Sequence, residues 1–293
     1  MTLHKLPRRQ IARDLTRIAN APVHEVLSAI GDTDVMPSYR IGVTGPPGGG
    51  KSTLINALVA LRLGGDAERT LAVLAIDPSS PVSGGAILGD RIRMDAVADL
   101  PGLFIRSLSS MGARNGLCDN IVDLLTLLEG YRFDEVILET VGVGQSEVAV
   151  NEVVDTMVVI VPPDAGDSVQ TMKSGILEMA DILVVTKADQ PGAQRMASDL
   201  GAVLRARGGW TPPVVQTQGD GEGVKQLSAA IDAHHDWLMD QQPEKLSREK
   251  RRRYHLRALF ERQVYDLSAT DADLAQGTLK DAYARVLAQL CER

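Results

Sequence analysis

Gly45-Pro46-Pro47-Gly48-Gly49-Gly50-Lys51-Ser52 is the stretch that decides the fold. It matches the phosphate-binding pattern Gly-x-x-x-x-Gly-Lys-Ser/Thr. It lies between a strand-like apolar run, 39–43, and a helix-like run, 53–63. Glycines let the backbone curl so that N–H groups surround an anion, and the start of the next helix adds a partial positive charge. We therefore predict a nucleotide-binding loop rather than a plain glycine-rich turn, formed by Gly45, Pro47, Gly48, Gly49, Gly50, Lys51, Ser52 and Thr53.

The composition of the 293 residues is that of an ordinary globular protein, with 44% hydrophobic and 24% charged residues. The net charge of −7 argues against a nucleic-acid partner. No apolar run approaches the roughly 20 residues that span a bilayer, and no secretory signal is present, so we expect a cytoplasmic protein without membrane contact. Cys118 and Cys291 are too few for a disulfide scaffold or a four-ligand zinc site.

Apolar strand-like runs alternate with helical patterns along the middle of the chain. This alternation predicts an α/β fold with a mostly parallel, doubly wound sheet that is covered by helices on both faces. Ligands bind at the carboxyl ends of such strands. We expect helical extensions at 1–38 and 243–293 around a nucleotide-binding domain at 39–242. The predicted strands are 39–43, 71–76, 103–105, 135–138, 157–161, 182–185 and 214–215, and the predicted helices include 121–128, 145–154, 168–179, 192–207 and 223–239.

A base-recognition signal, Thr186-Lys187-Ala188-Asp189, follows the strand at 182–185. It resembles the guanine motif Asn/Thr-Lys-x-Asp of GTPases. A carboxylate at Asp189 can accept hydrogen bonds from guanine N1–H and the N2 amine, whereas adenine would leave it unpaired at a cost of about 1–3 kcal/mol. Lys187 is predicted to lie along the base, and the backbone N–H of Gln218 to contact guanine O6. These residues predict GTP and GDP as the bound nucleotides.

The metal and the catalytic groups are predicted at the ends of other strands. Lys51 would reach the β- and γ-phosphates as a catalytic cation, and Ser52 would bind Mg²⁺. Asp77 and Glu139 end two strands, and Asp90 follows a glycine-rich stretch, so these carboxylates are candidate ligands, with Glu139 and Asp90 also catalytic. Asp90 is equally well explained as a helix N-cap. In Glu139-Thr140-Val141-Gly142, the glycine is predicted to sense the γ-phosphate.

These residues together resemble the MeaB/ArgK (human MMAA-type) family of GTPases. The resemblance covers residues 7–240 and is carried by the phosphate loop and three strings: Ile76-Asp77-Pro78-Ser79-Ser80, Gly84-Gly85-Ala86-Ile87-Leu88-Gly89-Asp90-Arg91-Ile92-Arg93-Met94, and Glu139-Thr140-Val141-Gly142-Val143-Gly144-Gln145-Ser146-Glu147. It implies a chaperone that gates adenosylcobalamin loading into an acyl-CoA mutase and protects the enzyme. It also implies a switch loop at 165–173, in which Lys173 is catalytic.

The resemblance leaves the partners open. The segment 109–116, the residue Thr186 and the loop at Thr217 depart from the family pattern. The mutase could therefore act on methylmalonyl-CoA or on a related substrate such as isobutyryl- or 2-hydroxyisobutyryl-CoA, and an adenosyltransferase is a further candidate partner. The resemblance also implies a homodimer formed through the C-terminal helices, with folding of these helices onto their own domain as the alternative. A nickel-inserting GTPase and a kinase are the competing functions.

Overall fold

The strands in the described part of the protein form one parallel sheet in the order β3-β2-β4-β1-β5-β6-β7. Their bounds are Tyr39–Thr44 (β1), Leu71–Asp77 (β2), Leu103–Ser109 (β3), Glu135–Glu139 (β4), Thr156–Val161 (β5), Ile182–Val185 (β6) and Val214–Gln216 (β7). The computed structural model describes residues 7–19, 21–29, 38–77, 97–109, 120–140, 145–164, 175–204, 206, 208–219, 221–241, 243–271 and 277–291.

Helices cover both faces of this sheet, which confirms the predicted doubly wound architecture. Their bounds are Arg8–Ala19 (α1), Val23–Ala29 (α2), Lys51–Gly65 (α3), Ile121–Gly130 (α4), Gln145–Val153 (α5), Ile176–Met179 (α6), Ala193–Val203 (α7), Val224–Asp240 (α8), Pro243–Thr270 (α9) and Leu279–Cys291 (α10). In the described part of the chain, no helix has both the length and the hydropathy for a bilayer crossing.

Some of the predicted bounds are wrong. β3 continues to Ser109 instead of stopping at 105, because it is an edge strand and tolerates polar residues such as Arg106 and Ser107. α7 ends at Val203 rather than 207, since Leu204 takes an extended conformation. Of the helix predicted over 168–179, only the end is described, as α6.

The core has two layers, one on each side of the sheet. Alternate strand residues point to opposite faces, so Val43 and Ile137 pack with Leu54 and Ile55 of α3 on one side. On the other side, Val136 and Leu138 pack in a cluster that includes residues of α1, α4, α5 and α9. The terminal helices α1, α2 and α9 therefore share their apolar core with the sheet domain.

α9 is held against the domain by charged residues as well as apolar ones. Tyr254, Leu259 and Leu267 are buried, while Arg262 donates to Asp123 Oδ2 at 3.1 Å, and His255 lies 2.5 Å from Asp123 Oδ1. The Asp123 side chain is almost fully buried in α4. These contacts fix which face of α9 points inward.

A second group of charges lies near the start of α9. Arg251 contacts Glu129 and Asp155. Glu129 also accepts from the guanidinium of the fully buried Arg40 of β1, and Asp155 accepts from the Arg40 backbone N–H. Burial, together with the neighbouring Arg251, lowers the pKa of Arg40 to about 10. Arg40 remains charged at neutral pH, so its two carboxylate partners are needed to stabilise it.

An aromatic cluster lies at the edge of the sheet where the strands begin. His234 of α8 stacks on Trp237, with ring centroids 5.6 Å apart, and also contacts the ring of Trp210. Trp210 Nε1 donates to the Asp181 carbonyl, directly before β6, and His234 Nδ1 lies 2.6 Å from the hydroxyl of Thr156. This cluster therefore joins α8 to the end of the sheet opposite the glycine-rich loop.

Candidate functional site

The glycine-rich loop connects β1, in the middle of the sheet, to α3. Gly45 has a φ of 150°, and a Cβ at this position would lie 2.7 Å from the carbonyl oxygen of Ile160 in β5. Gly50 caps α3 in the left-handed region, with a φ of 89°. Glycine is the residue that accepts both constraints without strain. The loop can therefore turn tightly enough for its backbone N–H groups to face an anion.

Lys51 and Ser52 start α3 and are both buried. The Lys51 ammonium group donates to the carbonyl oxygens of Gly45 at 2.9 Å and Pro46 at 3.0 Å, which holds the cation over the loop. Pro47 and Gly48 form the turn of the loop, and Thr53 is exposed on the first turn of the helix. A positive charge at a helix N-terminus favours binding of a phosphate chain.

Ser52 meets the carboxylate predicted to share its metal. Its hydroxyl donates to Glu139 Oε1 at 2.9 Å, although the two residues are 87 positions apart in the sequence. Glu139 ends β4, which pairs with β1, and its side chain is only 5% exposed. Hydroxyl and carboxylate oxygens are the ligands that Mg²⁺ prefers. The pair therefore fits a magnesium ion that also binds nucleotide phosphates.

The other predicted metal and catalytic residues are described only in part. The backbone of Asp77 ends β2, the strand on the other side of β4, two register positions beyond Glu139. Asp77 thus lies at the carboxyl ends of the strands, where the loop also lies. Asp90, Gly142 and Lys173 lie outside the described residues.

The predicted base-recognition segment follows β6 and contacts the loop directly. The hydroxyl of Thr186 donates to the Gly49 carbonyl at 2.7 Å, a contact that sequence reasoning missed. Lys187 has a φ of 52°, and its ammonium lies 3.6 Å from Asp164, which follows β5. Asp189 is exposed at the turn, where it is accessible to a base. Thr186 therefore links the segment to the phosphate loop through a side-chain hydroxyl.

The second predicted base loop is closed by its own hydrogen bonds. The Gln218 N–H donates to the Glu222 carbonyl at 3.0 Å, and the Gly221 N–H donates to the Gln218 backbone carbonyl at 3.2 Å. A contact between guanine O6 and the Gln218 N–H therefore requires that the first bond lengthen or break. The loop is joined to Thr186-Lys187-Ala188-Asp189 because Ala188 N–H donates to the carbonyl of Thr217.

Comparison with known proteins identifies the family. The family model described as methylmalonyl Co-A mutase-associated GTPase MeaB matches residues 13–273. The chain belongs to the MeaB family. A putative GTPase of Pyrococcus horikoshii is 39% identical to this MeaB-family chain over 265 residues, covering 86% of the chain and 80% of the relative. The GTPase ArgK of Escherichia coli is 36% identical over 237 residues, covering 76% of this chain and 71% of the relative.

Two further comparisons give another similar sequence and a solved structure of similar fold. A mouse protein named methylmalonic aciduria type A homolog, mitochondrial, is 39% identical over 198 residues, covering 65% of this chain and 47% of the mouse protein. Among solved structures, one titled LAO/AO transport system kinase matches with a TM-score of 0.66 and 22% identity, covering 99% of this chain and 95% of its own. The fold is that of P-loop GTPases, and the MeaB-family chain is a GTPase that binds guanine nucleotides.

Proposed function

We propose that this MeaB-family GTPase uses GTP hydrolysis to gate the loading of adenosylcobalamin into an acyl-CoA mutase and to protect that enzyme. The observation that carries the proposal is the match to a family named for its association with methylmalonyl-CoA mutase, which extends over residues 13–273. The name of the mouse relative refers to the same metabolism. Methylmalonyl-CoA mutase or a mutase with a related substrate is the proposed partner, with an adenosyltransferase as a second one, in the cytoplasm.

Each residue of the proposed site has a defined task. Lys51 would neutralise charge on the β- and γ-phosphates, and Ser52 and Glu139 would hold Mg²⁺, which would supply positive charge to the phosphoryl group during transfer. The buried 2.9 Å contact between Ser52 and Glu139 supports this assignment, because the two oxygens already converge on one point. Asp77 and Asp90 complete the proposed metal surroundings.

Nucleotide sensing and rate acceleration are assigned to two segments. Gly142 brings a backbone N–H against the γ-phosphate, so hydrolysis releases the segment. Lys173 supplies a further positive charge to the transferring phosphoryl group when the mutase binds, as arginine fingers do in other GTPases. GTP hydrolysis without the mutase is then slow, and substitution of Lys173 by alanine removes the acceleration without removing GTP binding.

Dimerisation is proposed through the last helix, α10. Leu279, Tyr283 and Leu287 of α10 are all exposed, with Leu279 88% accessible. They recur at four-residue intervals and so form one apolar face of the helix. Two such faces bury each other in an isologous contact. α9 is less suited to this role, because part of its apolar surface already packs on its own domain.

The function is tested by partner capture from an extract of the source cells. The full chain is immobilised with a non-hydrolysable GTP analogue, and the retained proteins are identified by mass spectrometry. We expect a cobalamin-dependent mutase to be retained with the wild type and lost with Lys51→Ala, which removes the phosphate-binding cation. Equal recovery of the mutase with both chains, or no mutase with either, contradicts the proposal.

A further inference from the structure

Two buried threonine hydroxyls meet where the two central strands reach the nucleotide site. Thr44 is the last residue of β1, and Thr140 directly follows β4. Their Oγ1 atoms are 3.0 Å apart, and the residues are 0% and 1% exposed. The Thr140 N–H also donates to the Val43 carbonyl at 3.1 Å, which extends the pairing of the strands by one residue.

The two threonines lie on the opposite face of the sheet from Glu139. Val43 and Glu139 are register partners, and both face α3, because Val43 packs with α3 residues and Glu139 contacts Ser52. One position further on, Thr44 and Thr140 therefore face the α5 side. The same face holds Gly42, where an added Cβ would lie 2.8 Å from Val150 of α5.

Buried parallel strands are normally almost continuous runs of Val, Ile and Leu. Valine has nearly the same shape as threonine, so packing alone does not account for two hydroxyls here. A buried hydroxyl costs free energy unless it has a hydrogen-bond partner, and each of these hydroxyls is the partner of the other. What the pair adds over two valines is a directional link between the ends of β1 and β4.

We infer that this hydroxyl pair positions Glu139 for the magnesium ion. Thr44 directly precedes Gly45, the first residue of the phosphate loop, and Thr140 directly follows Glu139. The link therefore fixes the end of β4 relative to the loop that carries Ser52, and it keeps the carboxylate aimed at the Ser52 hydroxyl. Thr140 is a positioning residue, and the inference rests on the proposed magnesium role of Ser52 and Glu139.

The test compares the double variant Thr44→Val/Thr140→Val with wild type. Replacing both partners leaves no unsatisfied hydroxyl, so the double variant is expected to unfold at nearly the wild-type urea concentration. The main measurement is the dissociation rate of a fluorescent GDP analogue, recorded in EDTA and over a Mg²⁺ titration. We expect equal rates in EDTA and an increase of about threefold to tenfold in the Mg²⁺ concentration that half-maximally slows release.

Three further variants separate the possible reasons for such a change. Thr140→Ser, made alone in the wild-type chain, keeps the hydroxyl and should keep the wild-type Mg²⁺ requirement. Thr126→Val removes a hydroxyl that bonds the Val122 carbonyl of its own helix, and should leave the Mg²⁺ requirement unchanged. Glu139→Gln should raise the Mg²⁺ requirement by at least as much as the double variant does.

The outcomes distinguish this inference from the proposal on which it depends. An unchanged Mg²⁺ requirement in the double variant, with a raised requirement in Glu139→Gln, overturns the positioning role and leaves the magnesium assignment intact. An unchanged requirement in Glu139→Gln overturns the magnesium role of Glu139 and the inference with it. A raised Mg²⁺ requirement in Thr140→Ser also overturns the inference, because the hydroxyl would then not be the feature that matters.

Discussion

At the scale of single residues, base selection is expected to depend on Asp189. Its carboxylate is exposed two residues after the left-handed Lys187, where it can accept hydrogen bonds from guanine. Asp189→Asn should weaken GTP binding by about tenfold or more and improve binding of xanthosine triphosphate, because xanthine has a carbonyl at position 2. Competition binding with both nucleotides measures this, with the exposed Asp199→Asn as a control. Wild-type discrimination in Asp189→Asn would contradict the assignment.

Lys51 gives a second prediction at this scale. Its ammonium is held by two loop carbonyls within 3.0 Å, at the loop where the phosphates are expected. Lys51→Ala should lose measurable GTP binding while the far-ultraviolet circular dichroism stays unchanged. Lys225→Ala, an exposed lysine of α8, is the matched control. GTP hydrolysis near the wild-type rate in Lys51→Ala would show that this lysine does not bind the phosphates.

The sequence pattern located the strand, loop and helix of the phosphate loop because the pattern is contiguous and its conformational demands are local, and phosphate binding by this loop stays a prediction. It named Ser52 and Glu139 among the candidate magnesium ligands but did not predict the hydrogen bond between them, and their magnesium role stays a prediction. It missed the bond from Thr186 to Gly49, which joins residues 137 positions apart. Neither Thr44 nor Thr140 was predicted as functional, because the sequence does not show which group a single hydroxyl in an apolar strand bonds to.

At the scale of elements, the orientation of α9 is determined by charged side chains that an apolar pattern ignores. Leu256, Leu259, Phe260, Val264 and Leu267 form one stripe in the sequence, yet Leu259 and Leu267 are buried while Leu256 and Phe260 are exposed. Arg251, His255, Leu259 and Arg262 recur at helical spacing, and this mixed face is the one that contacts the domain. Hydrophobic periodicity therefore located the helix but not its buried face.

The docking of α9 is expected to depend on Arg262. Its removal leaves Asp123, which is almost fully buried, with one cationic partner fewer. Arg262→Ala should lower the free energy of unfolding by about 2–3 kcal/mol, because the buried Asp123 carboxylate loses a charge-assisted hydrogen bond. Arg253→Ala removes an exposed pair with Glu249 on the same helix and should change it by less than about 0.5 kcal/mol. Equal effects in urea unfolding would contradict a role for Arg262 in docking.

At the scale of the whole molecule, the dimer prediction is best tested without disturbing α9. Removing α9 deletes the buried Tyr254 and Leu259 and uncovers the core of the domain against which they pack, so a chain that ends at Asp271 is the better comparison. We expect light scattering to give a dimer for the full chain, and a monomer both for the shortened chain and for Tyr283→Glu. Leu27→Glu, at an exposed leucine of α2, should remain dimeric. A monomeric full chain, or a shortened chain that stays dimeric, would contradict the proposed interface.

The aromatic cluster at the start of the strands gives the protein an intrinsic optical probe. Both tryptophans of the chain, Trp210 and Trp237, lie in this cluster, at the end of the strands opposite the phosphate loop. Their emission should follow the separation of α8 from the sheet and stay unchanged when GDP is added. Fluorescence can therefore record the unfolding of each variant at any nucleotide concentration without labelling. A change in emission on GDP addition would instead reveal a rearrangement that extends from the carboxyl ends of the strands to their amino ends.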